Sequence, residues 1–485
     1  MRSAYIFGAV MAAGVGTGFL GASSADADVA ISDKLTQNMT CTDGTCSPTA
    51  KKAVLNVADL ATMLSSGDVK ISSGEQALDI EINAKLSWAS THRLTLDAYR
   101  SIAFNKPLDI AGGALTIVTN DGGTGGDFRF FKRGRIKFAN TSSSHVINKQ
   151  HYTLVKSIKQ LGFDIRRDPH GYYALAGSIS LAKHLYSAAP LHNGFAGIFE
   201  GLGNTISNLT VDSATFGESI GLFDELSTAT IRDIGLTSVN IIGGSTNQGV
   251  APLAGLSQLS TIMNCYAKGQ VTSGASSLAG GLIGLNQFGI VRNSYSLVAV
   301  INTGDASVVG GLVGENDQST VVESYAIGSI KGGDGTMVGG LVGYNHNGAI
   351  SDSYATGSVE GGTNAFVGGL VGSNEDDPHE TTKSMIDSSY SVGPVTGGSG
   401  SLLGGLIGEV VNKARVKDSY WDLDTSGISD PSQGAGNVQN DKGITGLTTA
   451  QFLAGLPKGF KNTIWSEKPT LNGGFPYLDN NPPPK

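Results

Sequence analysis

Gly339-Gly340-Leu341-Val342-Gly343-Tyr344-Asn345, followed by Ser353-Tyr354-Ala355-Thr356-Gly357-Ser358-Val359, is the stretch that decides the fold. Its first half recurs as Gly280-Gly281-Leu282-Ile283-Gly284, Gly310-Gly311-Leu312-Val313-Gly314, Gly368-Gly369-Leu370-Val371-Gly372 and Gly404-Gly405-Leu406-Ile407-Gly408. Its second half keeps step through Tyr266, Tyr295, Tyr325, Tyr354, Tyr390 and Tyr420, at intervals of 29, 30, 29, 36 and 30 residues. The long interval holds an insert of about seven residues around Glu375 to Thr382. Weaker copies at Gly197-Ile198-Phe199, Gly221-Leu222-Phe223 and Pro252-Leu253-Ala254 bring the array to about eight units. A fixed period near 30 residues with strand-like content signals a solenoid, because one unit cannot bury its apolar side until the next stacks on it.

Within a unit, a β-branched residue stands four positions before each tyrosine: Ile262, Val291, Val321, Ile350, Ile386 and Val416. Another follows five positions after the first five tyrosines: Val271, Val300, Ile330, Val359 and Val395. Stacked at the ~4.8 Å strand spacing these form aliphatic ladders, and eight coils make a rod of roughly 40 Å. Asn286, Asn316, Asn345 and Asn374 share one offset from the glycine pair, as a structural amide ladder at a corner requires. Glycine is expected to serve sharp corners and close packing between coils. Period-two counting from the later β-branched residue points the tyrosines outward, where a stack of rings would suit sugars. A bulge that resets the parity would turn them inward instead.

Upstream, from about Val69 to Val118, apolar residues alternate with period two. Val69 and Ile71, then Leu78, Ile80 and Ile82, Leu86 and Trp88, Leu94 and Leu96, Ile102 and Phe104 mark short strands, continued by Leu108, Ile110, Leu115 and Ile117. Ala58 to Leu64 predicts a short helix covering a sheet edge. Between Tyr152 and Ile165 the spacing suits a helix stopped by Asp168-Pro169, a joint between two β regions. Thr448-Thr449-Ala450-Gln451 has the capping-box form and predicts a C-terminal cap helix ending near Gly455 and Pro457. The segments are therefore 1–27 (signal peptide), 28–68 (N-terminal cap), 69–150 (first β-helix segment), 151–194 (helix-containing connector), 195–425 (repeat solenoid) and 426–485 (C-terminal cap and tail).

Composition agrees. Glycine supplies 69 of 485 residues, about twice the usual share, with no Gly-X-Y period that would make collagen. Charged residues are 15% and apolar ones 40%, so a core forms but helical bundles are disfavoured. A net charge of −8 argues against a nucleic-acid partner. Arg2, the apolar run Ala4 to Ala22 and Ala25-Asp26-Ala27 form a secretory signal, with the A-x-A cleavage pattern. No second run is long enough to span a bilayer, so the mature chain is expected to be soluble and exported. In an exported chain, Cys41 and Cys46 are close enough to form a local disulfide across Asp43-Gly44, and no second Cys/His pair follows for zinc. Cys265 stands alone and is expected to be buried.

The Gly-Gly-Leu-Val-Gly-x-Asn and Ser-Tyr-Ala-Thr-Gly-Ser-Val strings resemble GLUG-motif repeats, known from bacterial surface proteins. Phe199-Glu200-Gly201-Leu202-Gly203-Asn204-Thr205-Ile206-Ser207-Asn208-Leu209 and Ser419-Tyr420-Trp421-Asp422 fit the same pattern, so the resemblance spans about 195–425. Residues 69–150, through Leu78 to Trp88 and Leu94 to Ile102, resemble the repeat segments of filamentous-haemagglutinin-like adhesins. The resemblance implies an all-β, right-handed parallel β-helix with short capping helices, on the cell surface or outside the cell. The secretion domain that follows the signal peptide in two-partner-secreted haemagglutinins has no counterpart in this sequence. Asn480-Asn481-Pro482-Pro483-Pro484-Lys485 is neither an autotransporter strand nor a sortase signal.

β-Helices also carry polysaccharide lyases, hydrolases and epimerases, which makes a carbohydrate-active enzyme the alternative reading. Arg135-Ile136-Lys137 matches the last motif of pectin hydrolases, but the upstream carboxylate and Gly-His-Gly elements are missing. Glu323, Asp352 and Asp418 share one repeat position, which suits a structural ladder better than a catalytic pair. His379-Glu380 lacks the second histidine of a zinc protease. Glu375-Asp376-Asp377-Pro378-His379-Glu380 has the hard oxygens of a cation site, though a solvated loop explains it as well. Gly122 to Phe130 resembles a single calcium-binding nonapeptide with Arg129 where an apolar residue belongs. The expectation is a non-enzymatic adhesion or surface-interaction protein with no cofactor and no metal. Its partners would be surface glycans or host or cell-surface proteins, and the tyrosine column is the candidate binding element.

Overall fold

The structure, a computed structural model, describes residues 28–131, 133–182, 184–213, 215 and 217–484. The predicted signal peptide, residues 1–27, lies outside them. The chain divides into two compact units, one running to Gly134 with Val146–Lys149 added, the other comprising Arg135–His145 and Gln150 onward.

In the first unit the predicted alternation becomes short parallel strands. Asp79–Ile82 pairs with Asp28–Ser32 on one side and Ile102–Phe104 on the other. Val69–Ser72, Arg93–Asp97 and Ala114–Val118 form a second face, and Leu86–Trp88 pairs with Pro107–Ile110 on a third. Every predicted inward residue from Val69 to Ile117 is buried except Leu78, which precedes its strand and is half-buried. Helix α1 (Val57–Ser66) starts where the Asn56 side chain accepts from the Ala58 and Asp59 amides, and it buries Leu60 and Leu64. Met39–Thr42 and Thr45–Pro48 form an antiparallel hairpin in which Cys41 faces Cys46, and the two are disulfide-bonded.

After Arg135–His145, the second unit continues with strand Gln150–Val155 and helix α2 (Ile158–Arg167). The helix is shorter than the sequence spacing predicts. Tyr152 to Val155 are strand, because the edge they pair with, Tyr172–Leu175, continues the sheet. Ser157 caps α2 through the Gln160 amide, and Asp168 ends it. From Ile198–Glu200 to Arg415–Lys417 eight strands stack in parallel on one face. The ladder Ile231, Ile262, Val291, Val321, Ile350, Ile386, Val416 runs in unbroken register. Val271, Val300, Ile330, Val359 and Val395 form the second ladder. The insert loops out at one corner, and the pairings Val342↔Val371 before it and Ile350↔Ile386 after it are undisturbed.

The repeated glycine pair acts through close approach rather than through left-handed turns. A Cβ on Gly340 would lie 2.1 Å from the Gly369 carbonyl oxygen of the next coil and 2.9 Å from the Ala355 Cβ. The left-handed corners belong to other residues. Asp233, Asn264, Asn293, Glu323, Asp352, Ser388 and Asp418 all have φ between 41° and 56° at one repeated position. Asparagine and aspartate tolerate that conformation best, which accounts for the aspartates at 352 and 418, while Glu323 takes the same corner without that preference.

The C-terminal segment departs from the expected end cap. Closure of the last coil falls to residues 423–447: Ile444–Leu447 pairs with Ser419–Asp422, Ala435 bridges Ile407, and buried Trp421 donates to the Ile428 carbonyl. The predicted capping box at Thr448 and Gln451 is present and opens helix α3 (Thr449–Phe452). Beyond it the chain turns back along the side of the solenoid as a strap.

Candidate functional site

The tyrosine column is the most regular aromatic feature of the second unit. The rings of Tyr266, Tyr295, Tyr325, Tyr354 and Tyr390 stack with centroids 4.9, 4.9, 4.8 and 5.1 Å apart and planes within 9° of parallel. This is the strand spacing itself, imposed by the register Tyr266↔Tyr295↔Tyr325↔Tyr354↔Tyr390↔Tyr420. At the first end the Tyr266 ring covers Gly235, whose added Cβ would meet it at 2.2 Å. The neighbouring Ala267, Ala326 and Ala355 belong to the coil interior, while Tyr325, Tyr354, Tyr390 and Tyr420, with Tyr295 packed against them, belong to a separate apolar cluster outside it. Parity therefore places them outward.

They are nevertheless not open to ligand along most of the column. Phe452 of α3 and Phe460, Trp465 and Leu478 of the strap pack over Tyr325, Tyr354, Tyr390 and Tyr420, which are at most 6% exposed. Tyr420 Oη donates to the Lys458 carbonyl (2.8 Å) and Tyr390 Oη to the Pro476 carbonyl (2.5 Å). Trp465 Nε1 donates to Asp352 (3.0 Å), and Asn481 Nδ2 to the Glu323 carbonyl (3.1 Å). Tyr325 Oη reaches the Pro482 carbonyl at 3.3 Å. The expectation of six accessible tyrosines is corrected accordingly: a sugar cannot reach these four while the strap is docked. Tyr266 and Tyr295 remain half-buried. Burial raises the phenol pKa throughout, most strongly at Tyr325, Tyr354 and Tyr390, so these groups stay neutral. No signal in the repeat itself announces the strap.

The other repeated polar residues hold coils together. Asn286 donates to Asn316 (3.1 Å), Asn316 to Asn345 (2.8 Å) and Asn345 to Asn374 (2.8 Å), all fully buried. The ladder ends where Val410 and Ser257 replace asparagine. The serine before each tyrosine forms a second ladder: Ser294, Ser324, Ser353, Ser389 and Ser419 each accept from the preceding rung's amide, the first from Cys265. Cys265 thus takes a serine position, and burial raises its thiol pKa. In the opening segment, Glu200 accepts from the Leu202 amide and pairs with Arg232 at 3.2 Å.

One outward strip escaped the sequence reading. Glu315 and Asp317, then Tyr344 and His346, then Ser373 and Glu375 occupy matching positions on successive coils. His346 Nδ1 lies 2.9 Å from Asp317, which also accepts from Gln287 (2.8 Å). Tyr344 Oη donates to Glu375. Burial, then Asp317, pushes the Glu315 carboxyl up to about 7. The only sequence signal was a run of non-repeating polar residues at an outward repeat position. In the insert, Asp376 and Asp377 accept from the Ser384 and His379 amides and so hold the loop. Among the described residues no group of three His, Cys, Asp or Glu is placed to hold a metal, and no helix is long and apolar enough to cross a membrane.

Stacked parallel coils, asparagine and serine ladders and a glycine pair repeated in five coils define a parallel β-solenoid repeat protein. The GLUG motif profile matches residues 334–360, the stretch that first revealed the repeat. Halomucin of Haloquadratum walsbyi (strain DSM 16790 / HBSQ001) is 36% identical over 110 residues, 22% of this chain and 1% of that protein, so the chain spans a very small part of that relative. A Bacteroides ovatus crystal structure named for an immunoglobulin A1 protease aligns over 68% of this chain and 93% of its own, with 17% identity and a TM-score of 0.41. A likeness that weak carries no argument about activity.

Proposed function

We propose that this is an exported, non-enzymatic solenoid that works by adhesion or surface interaction, presenting its long lateral faces to glycans or surface proteins. One observation carries the reading: the repeated polar residues hold the coils together. The asparagines pair with each other, the serines with backbone and most tyrosines with the strap, while outward positions such as Lys268, Leu297 and Thr356 vary from coil to coil. The resemblance to repeats of bacterial surface proteins supports the same reading.

A carbohydrate-active enzyme is the second reading, favoured by Glu315. A carboxyl held protonated near neutral pH is what a general acid needs. Its neighbours argue the other way, since Asp317 and Glu375 are already held by Gln287, His346 and Tyr344. The test is binding of the purified chain to a glycan array and to host-cell surfaces, beside reducing-sugar release from pectin and alginate. Binding without release is the expected outcome. Release that Glu315→Gln abolishes would establish the enzyme instead.

A further inference from the structure

We propose that the cavity between helix α2 and the 179–192 segment binds a sugar unit carrying a carboxylate or sulfate. Its volume is about 650 Å³, within the range of pockets that enclose small ligands. Lys159, Gly162 and Arg166 line one wall at spacings of three and four residues, which puts them on one face of the helix. Gly162 brings the opposite wall close: a Cβ there would lie 3.6 Å from the Pro190 carbonyl oxygen. On that wall stand His184, Tyr186 and His192, with the His184 and Tyr186 rings stacked at 6.3 Å and 20°. Ile158, Leu181 and Ala189 form a buried apolar floor.

The charge is one-sided. No carboxylate lines the cavity among the described residues, in a chain whose net charge is −8. Lys159, Arg166, His184 and His192 are all exposed at the rim. Lys156, on the same wall, is anchored by donating to the Ala139 carbonyl. The first turn of α2 carries no acidic residue, so the positive end of the helix is unopposed. The Lys159 and Arg166 cations at the rim fit carboxylate or sulfate, Arg166 through a two-pronged contact. The ring pair and apolar floor fit the C–H face of a sugar, which inorganic phosphate lacks. An extended nucleic acid would need a track of cations rather than one pocket.

The test is titration of the full chain with tetragalacturonate, a heparin-derived tetrasaccharide and neutral cellotetraose, at low and physiological salt. Expected is saturable binding of one or both charged sugars, with cellotetraose weaker by about tenfold or more; which charged sugar binds separates carboxylate from sulfate recognition. Lys159→Glu/Arg166→Glu should cut the affinity about tenfold or more with an unchanged melting temperature, and His184→Ala should weaken it without changing charge preference. Equal binding of cellotetraose, no binding of either charged sugar, or parental affinity in the charge-reversed variant overturns the proposal. The inference does not rest on the adhesion reading. These variants lie outside the repeats, so their loss of binding and failure of repeat-face binding are separately visible.

Discussion

Trp465→Ala tests whether the strap is a separable cover or an integral part of the solenoid. The indole is 1% exposed, lies 6.0 Å from Tyr354, 5.8 Å from Tyr390 and 4.5 Å from Phe460, and donates to Asp352. Truncating a buried Trp costs about 3–5 kcal/mol. The Asp352 carboxylate, whose pKa burial already raises, also loses its donor. These contacts lie in the outer aromatic cluster and not in the coil interior, so the cost should fall on strap docking. An opening equilibrium shifted by that amount rises about 10²–10⁴-fold. The assay is limited proteolysis of residues beyond Leu447, with acrylamide quenching of tyrosine emission in the same samples. Cleavage in the strap and quenching should both rise sharply while the main melting transition stays within a few degrees. An intact strap with shielded tyrosines would refute the reasoning, and so would loss of the whole cost from the main transition.

Tyr354→Phe should leave stability unchanged or raise it by up to about 1 kcal/mol, because its buried hydroxyl finds no partner among the described residues. Tyr390→Phe should cost about 1–2 kcal/mol, since that hydroxyl bonds Pro476 and Asn472; urea melts of both variants compare them directly. The raised Glu315 value makes a pH prediction. Its contribution is fully present below the ordinary value of 4.5 and is lost as pH rises through about 7. Glu315→Gln should therefore match the parent at pH 4 and exceed it at pH 8 by up to about 3 kcal/mol, read from denaturant melts at the two pH values. Gly340→Ala should cost about 3 kcal/mol or more, or prevent folding, because its Cβ has no room against the next coil; expression yield and thermal melting report the result.

The sequence by itself determined the solenoid, its rung spacing and the residues that stack. Each is a consequence of a period near 30 residues, and periodicity is written in the chain: Ile350 finds Val321 and Ile386, and Asn345 finds Asn316 and Asn374, without any other information. It also determined the turn at Thr448 and the pairing partner available to Cys41, both of which act over a few residues. Tertiary structure alone decided what covers the tyrosines. Asn481 bonds the Ser294 carbonyl across 187 positions, and nothing in the non-repeating tail marks which solenoid face it lies on. The same holds for the Glu315 strip and the cavity beside α2. The strip is made by residues that break the repeat and the cavity by residues outside it, and what such residues do depends on which neighbours the fold brings to them.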